Sequence, residues 1–300
     1  MYTFQPQKKR SQFRIKLGCV FYTLKRYFYW IKYSKHFAKI PKEYKIKKSE
    51  NFSAPVNLEK IKQDFPYTVF THSSPLYRNL SKEDMELQEG KVHNLNLAHK
   101  YICGTVIKPG ELFSYWKLIG NPTKFRGFKK GMVLSNGKPG SGIGGGLCAL
   151  SNLLYWITLH SPLSVKERYR HSFDVFPDSN RTLPFGSGAT CVYNYRDLMI
   201  LNETQDSYIF IVYIENKRLC GELRSNNKCD FHYEVYEKEH YISMEAAGIY
   251  VRHNSLYRKT FIVDEQGKDA LQRDDLITEN HAIMMYNPIL TYEKKDYDKK

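Results

Sequence analysis

Hydrophobic positions divide the chain into a helical front, one apolar helix at the centre and a strand-rich back half. Leu17, Val20, Phe21, Leu24, Phe28 and Ile31 recur at three- and four-residue spacing, the period of one face of an α-helix. Lys16, Lys25, Arg26 and Lys32 fall on the other faces, among Tyr22, Tyr27, Tyr29 and Trp30. A polar stretch over residues 42–58 reads as a linker, and FPYTVF at 65–70 predicts a strand. Residues 81–104 predict a helix in which Val92, Leu95, Ala98 and Ile102 share a face and Gly104 ends it. Pro109-Gly110 then marks a turn into a short apolar segment.

Leu147, Leu150, Leu153, Leu154 and Ile157 predict a central helix over 147–159, directly after the glycine-rich SGIGGG. Strands are expected over 170–176, 189–195, 197–201, 208–215 and 218–224, and again around the Gln266-Gly267 turn. A helix followed by antiparallel-looking strands predicts an α+β fold, with the central helix opening at the glycine-rich loop and packed on a mainly antiparallel sheet. Three segments follow: an amphipathic arm (1–50), a core domain (51–225) and a strand-rich C-terminal extension (226–300). No internal repeat is visible.

Charge sharpens the first of these. The chain carries a formal +15, but residues 1–50 alone hold +12, so the remaining 250 residues are left with +3. A basic helix with an apolar face suits an anionic membrane surface, apolar side among the acyl chains and lysines at the headgroups. A helix packed on its own domain with a solvated basic face is the equal alternative. Nucleic acid is the weakest partner, because no helix-turn-helix, RNP or zinc pattern accompanies the charge. Six cysteines are scattered without a C-x-x-C pair, which suggests neither a disulfide framework nor a zinc finger. The apolar run from Leu17 meets Lys25 after eight residues, which does not read as a secretory signal, and the uncharged stretch 141–165 is too broken by glycines, Ser151, Asn152, His160 and Pro162 for a membrane span. The expected setting is cytoplasmic, with peripheral attachment at the inner membrane face.

The opening of the central helix carries the candidate chemistry. Cys148 falls in its first turn, where unpaired N–H groups and the positive end of the helix dipole stabilise a thiolate. Gly144, Gly145 and Gly146 would let a substrate carbonyl reach those amides as an oxyanion site, or would serve as a tight turn into a core helix. RHSFDVF supplies a base: in a strand of period two, His171 points with Phe173 and Val175, while Asp174 points the other way. Asn194 or Asp197 could orient the imidazole from the next strand region. Helix cysteine, strand histidine and a later polar residue is the order of papain-like and peptidoglycan-peptidase cysteine enzymes. The other histidines lack metal-ligand spacing, and the glycines lack the Lys-Ser/Thr of a P-loop, so neither a metal nor a cofactor is expected.

Three stretches, KPGELFSYWKLIGNPT (108–123), GMVLSNGKPGSGIGGGLCALSNLLYWITLHSPLSVKERYRHS (131–172) and DLMILNET (197–204), closely resemble the VanW family. The likeness runs from about residue 92 to 224, with a weaker echo in NHAIMMYNP. It implies association with glycopeptide resistance or cell-envelope metabolism. Gly144, Gly145, Gly146, Cys148, Ser151, Leu154, Arg168 and His171 stand at the family's characteristic positions, which makes the glycines, Ser151 and Arg168 candidate substrate contacts. Two departures stand out: Ala149 replaces a glutamine and Gly188 an aspartate. Two functions stay open. One is a cysteine hydrolase or acyltransferase on peptide-like envelope precursors, with Cys148 as nucleophile, His171 as base and Asp197 as orienter. The other is a non-catalytic accessory or binding protein recruited to the membrane surface.

Overall fold

The computed structural model of the chain describes residues 11–46, 58–77, 82–135, 137–170, 173–175, 183–263 and 267–288. The helices are α1 (Gln12–Lys32), α2 (Leu58–Asp64), α3 (Lys82–Ala98), the short α4 (Tyr115–Ile119) and α5 (Cys148–Leu159). The strands are β1 (Tyr67–Pro75), β2 (Thr105–Ile107), β3 (Leu112–Ser114), β4 (Lys130–Ser135), β5 (Lys138–Ile143), β6 (Ser164–Glu167) and β7 (Phe173–Asp174). After these come β8 (Met199–Leu201), β9 (Tyr208–Glu215), β10 (Arg218–Ser225), β11 (Phe231–Ala246), β12 (Ile249–Val263) and β13 (Asp269–Met284).

The architecture is α+β. One antiparallel sheet runs β1-β10-β9-β2, a smaller one β3-β8-β6, and β4-β5 form a separate hairpin. The extension supplies β11-β12-β13, to which β7 adds a two-residue parallel edge. Few helices serve this much sheet, and α5 does most of the covering.

From Leu150 to Leu159 every residue of α5 except Asn152 is buried. A helix without a polar face has to be enclosed, and α5 packs on β1 and β10 of the first sheet and on β6 of the second. Close approach needs a missing side chain. A Cβ on Gly221 of β10 would lie 2.7 Å from Ile157 Cδ1 and 2.9 Å from Leu153 Cδ2, both on α5. The hairpin is held on α3 in the same way, since a Cβ on Gly90 would overlap the Lys130 carbonyl. Asn94, fully buried on α3, fixes that contact: its Nδ2 donates to Lys129 O at 3.0 Å and its Oδ1 accepts from Lys129 N at 2.8 Å.

Several expectations shift. The polar stretch at 42–58 is no plain linker where it is described: Tyr44 is buried and donates to Asp64 Oδ2 at 2.5 Å, and Gly104 turns at φ +84° against the Tyr44 carbonyl. Residues 47–57 lie outside the described residues. β1 starts two residues late and continues to Pro75 because β10 pairs with it along that whole length. Of the strand expected at 189–195, residues 189–191 run outside any sheet and 193–195 form a turn closed by an isolated Val192–Arg196 bridge. Of the strand expected over 170–176, Phe173–Asp174 is strand, and 171, 172 and 176 lie outside the described residues. Alternation misjudges Asp174, whose side chain is buried because Arg252 Nε at 3.0 Å and the Tyr286 hydroxyl at 2.8 Å compensate its charge. No helix among the described residues is long and apolar enough to cross a membrane.

Gly221→Ala is expected to overpack the α5–β10 contact and to destabilise the protein by about 1–3 kcal/mol. Denaturant unfolding should show the midpoint falling at unchanged slope; an unchanged midpoint would mean that α5 has room on that side.

Candidate functional site

The three glycines before α5 are a turn with its space already filled. Gly144 and Gly146 have φ of +74° and +89°, the left-handed region that favours glycine. A Cβ on Gly144 would strike Pro122, one on Gly145 the backbone of Gly131, and one on Gly146 the side chain of Lys91. Their polar groups are largely committed as well. Gly144 N donates to Lys129 O and Gly145 N to Gly142 O, both at 3.0 Å, while Gly145 O accepts from Asn94 Nδ2 at 2.9 Å and Gly146 O from Ala149 N at 3.1 Å. Tyr115, fully buried, donates its hydroxyl to Leu147 O at 2.8 Å. The loop is thereby clamped by α3, α4 and the β4–β5 hairpin.

The first turn of α5 faces the extended segment 188–191 and bonds its main chain. Cys148 Sγ donates to Cys191 O at 3.7 Å, Ser151 Oγ to Ala189 O at 2.7 Å, and Asn152 Oδ1 accepts from Ala189 N at 2.8 Å. Burial pushes the Cys148 thiol up rather than down, against the expectation for a helix-opening cysteine. Burial and the neighbouring Cys148 push Cys191 up too. On the far side of the segment Thr190 N donates to Tyr169 O at 2.8 Å.

Arg168 binds the same region from below. Its Nε donates to Gly188 O at 2.9 Å, its Nη2 to Gly186 O and its Nη1 to Thr278 Oγ1 at 3.2 Å, and the guanidinium stacks 4.9 Å above the Tyr155 ring. Each guanidinium nitrogen is thus engaged, and the side chain ties α5 and β13 to the segment. Ser151 and Arg168 are therefore brought together with Cys148 around one stretch of backbone, whereas the glycines bond to α3 and the β4–β5 hairpin. His171 lies outside the described residues.

Asp197 spends its hydrogen bonds at the start of α4, close enough for its charge to act on Cys191 and Tyr115. It is fully buried, with Oδ2 accepting from Ser114 Oγ at 2.5 Å and Oδ1 accepting from Trp116 N and Leu198 N at 2.9 Å. It fixes the start of α4, which Ser114 caps by accepting from Lys117 N at 3.3 Å. Its own N–H donates at 3.0 Å to Glu167 Oε1, the atom that Arg26 of α1 reaches at 2.5 Å. Burial raises the Asp197 carboxyl from 3.8 to about 7, with the bonds from Ser114 and Trp116 opposing the shift. Asn194, the other suggested orienter, is buried and donates to Thr23 O of α1 at 3.4 Å.

Three residues that hold this region together were missed by pattern reading: Asn94, Asn152 and Glu167. Asn94 and Asn152 each interrupt an apolar helical pattern, and that interruption was the available signal. Nothing local marked Glu167.

The comparisons with known proteins fall on this same region. The chain is 35% identical over 185 residues to the vancomycin B-type resistance protein VanW of Enterococcus faecalis, a match that spans 62% of this chain and 67% of that one. The chain belongs to the VanW family. The family model, described as VanW-like protein, matches residues 90–224, from within α3 to the end of β10. A second relative, the uncharacterized protein YoaR of Bacillus subtilis, is 28% identical over 135 residues, covering 45% of this chain and 42% of its own length. No solved structure matches. Within the VanW segment, a Cβ on Gly188 would lie 2.7 Å from Asn152 Oδ1 and press on the Asn152–Ala189 bond.

The Asp197 carboxyl gives a pH signature. Between 3.8 and about 7 the unfolded chain has lost this proton and the folded chain keeps it, so its contribution to stability falls as pH rises through that window. Thermal unfolding should show wild type losing more stability between pH 4 and 7 than Asp197→Asn, which is neutral throughout. Parallel curves would place the carboxylate's ionisation elsewhere.

Proposed function

We propose that this VanW-family chain serves glycopeptide resistance or cell-envelope metabolism as an accessory or binding protein, engaging a peptide-like envelope precursor without a thiol nucleophile. Family membership supports the envelope setting, since the E. faecalis relative is a vancomycin B-type resistance protein. The observation that carries the non-catalytic part is the Cys148 thiol, raised by burial and engaged with Cys191 O. A nucleophilic cysteine needs its thiolate, and here burial favours the thiol. Ser151, Asn152 and Arg168 are spent on holding the 186–191 backbone, which makes them positioning residues for whatever face that segment offers.

The catalytic reading keeps one observation of its own: Cys148 opens α5 and is only partly buried as a residue. With His171 as base it would be the nucleophile of a hydrolase or acyltransferase, and the two readings part in solution. Alkylation of Cys148, followed by peptide-resolved mass spectrometry across pH, should be slow at neutral pH and unchanged by His171→Ala. Titration with a soluble muramyl-peptide precursor should give the same affinity for wild type and Cys148→Ser, with the precursor recovered intact. Rapid neutral-pH alkylation that His171→Ala abolishes, or precursor turnover lost in Cys148→Ser, would overturn the binding reading in favour of catalysis.

A further inference from the structure

α1 packs on the protein by the side that hydropathy would leave outside. Its contacts run along Cys19, Thr23, Arg26 and Trp30, the i, i+4, i+7 and i+11 positions of a single helical stripe. Cys19 Sγ reaches Tyr195 OH at 3.6 Å, Arg26 pairs with Glu167 at 2.5 Å, Thr23 O accepts from Asn194, and Trp30 is buried. Beside this stripe the hydroxyls of Tyr27 and Tyr193 share a hydrogen bond of 2.7 Å. The mount is polar and aromatic, and it is specific.

The apolar stripe consequently faces solvent. Leu17, Val20, Phe21, Leu24, Phe28 and Ile31 are each between 56% and 73% exposed, and Phe13 extends the row at 76%. An aligned row of that size is far beyond the scattered exposed leucines of an ordinary surface. At about 100° per residue, Arg14, Lys25 and Lys32 line one edge of the stripe and Lys16 the other, and α1 contains no acidic residue.

We infer that α1 is a docking helix for an anionic phospholipid surface, lying in the plane of the interface with its apolar row among the acyl chains and its basic edges at the headgroups. Charge selects this occupant. Two copies pairing through the same face would set their Arg14, Lys25 and Lys32 edges together, with no acid on α1 to answer them. The rigid mount makes the surface preformed: the helix is N-capped by Ser11, whose hydroxyl accepts from Arg14 N at 3.3 Å, and its core face is already bonded. The bilayer therefore meets an ordered helix rather than a segment that has to fold on arrival.

The test is flotation of the full chain with phosphatidylcholine vesicles lacking or containing phosphatidylglycerol. Wild type should float with the anionic vesicles, less so at high salt. Phe21→Glu/Leu24→Glu should weaken binding at least tenfold, and Arg14→Gln/Lys25→Gln/Lys32→Gln should do so by roughly fivefold per charge removed. All five positions are exposed, so thermal unfolding should stay at the wild-type midpoint. Leu271→Glu, an exposed leucine of β13, should float like wild type. Equal flotation of wild type and the Phe21/Leu24 variant would overturn the inference. So would a wild-type dimer in light scattering that this variant dissolves while neither protein binds vesicles, since that assigns the face to a second copy. Cys148→Ser should leave flotation unchanged, which keeps this result independent of the reading given to the thiol.

Discussion

A helix that is buried on every side fixes what its neighbours can be, and α5 imposes that constraint on the rest of the VanW segment. Burying so many of its side chains drives the collapse, but it also forbids any unpaired polar group at its ends. The sheet can come close only where a side chain is missing, as at Gly221, and the lead-in loop can fit only as glycine between Pro122, Gly131 and Lys91. At its start, where backbone groups have no intrahelical partner, the chain brings in Tyr115 from α4 and the 188–191 backbone. Gly144, Gly145, Gly146, Cys148 and Ser151 are thus residues that a buried helix terminus demands. Their position at a candidate site and their role in packing have one origin.

The second organising element is ionic and links the arm to the core. Arg26, Glu167 and Asp197 form a chain from α1 through β6 to the start of α4. Breaking one member of a buried network leaves the others uncompensated, so such networks fix arrangement more than they add stability. Here the arrangement is the rotation of α1 about its axis. With Arg26 and Trp30 turned inward, the leucines and phenylalanines on the opposite side have nowhere to go but outward. The sequence pattern identified the amphipathic helix correctly, yet hydropathy alone could not say which side the core would take. Glu167 decided it, from 141 residues away.

The same division explains how far the chain could be read. Strands β9 and β10 and the helices α3 and α5 were legible because each is a run of apolar or helix-patterned residues whose type and length local sequence already sets. β11 was not, since strand length is set by partners that lie elsewhere in the sequence. Asp174 shows the failure in one residue: polarity placed it outside, and Arg252, 78 positions later, brought it in. Of the candidate residues, Cys148 is expected from its place in the helix and Ser151 and Arg168 from the family likeness, and all three bond the 186–191 backbone. Asp197 bonds to the start of α4, and His171, which it is expected to orient, lies outside the described residues.

Cys148 then poses a contest of magnitudes. The terminus of a helix favours a negative charge by about 0.3–1 kcal/mol, and by up to ~2 kcal/mol when partly buried. Removing an uncompensated charge from water costs several kcal/mol even after the protein relaxes. With the sulfur enclosed beside Cys191 and Tyr115 and no cation among its recorded partners in the described residues, desolvation outweighs the dipole and the thiol keeps its proton. A cysteine at a helix start is therefore activated only where solvent or a cation meets it. In this fold the 188–191 segment lies against the partly buried Cys148, held by the hydrogen bonds of Cys148, Ser151 and Asn152 themselves.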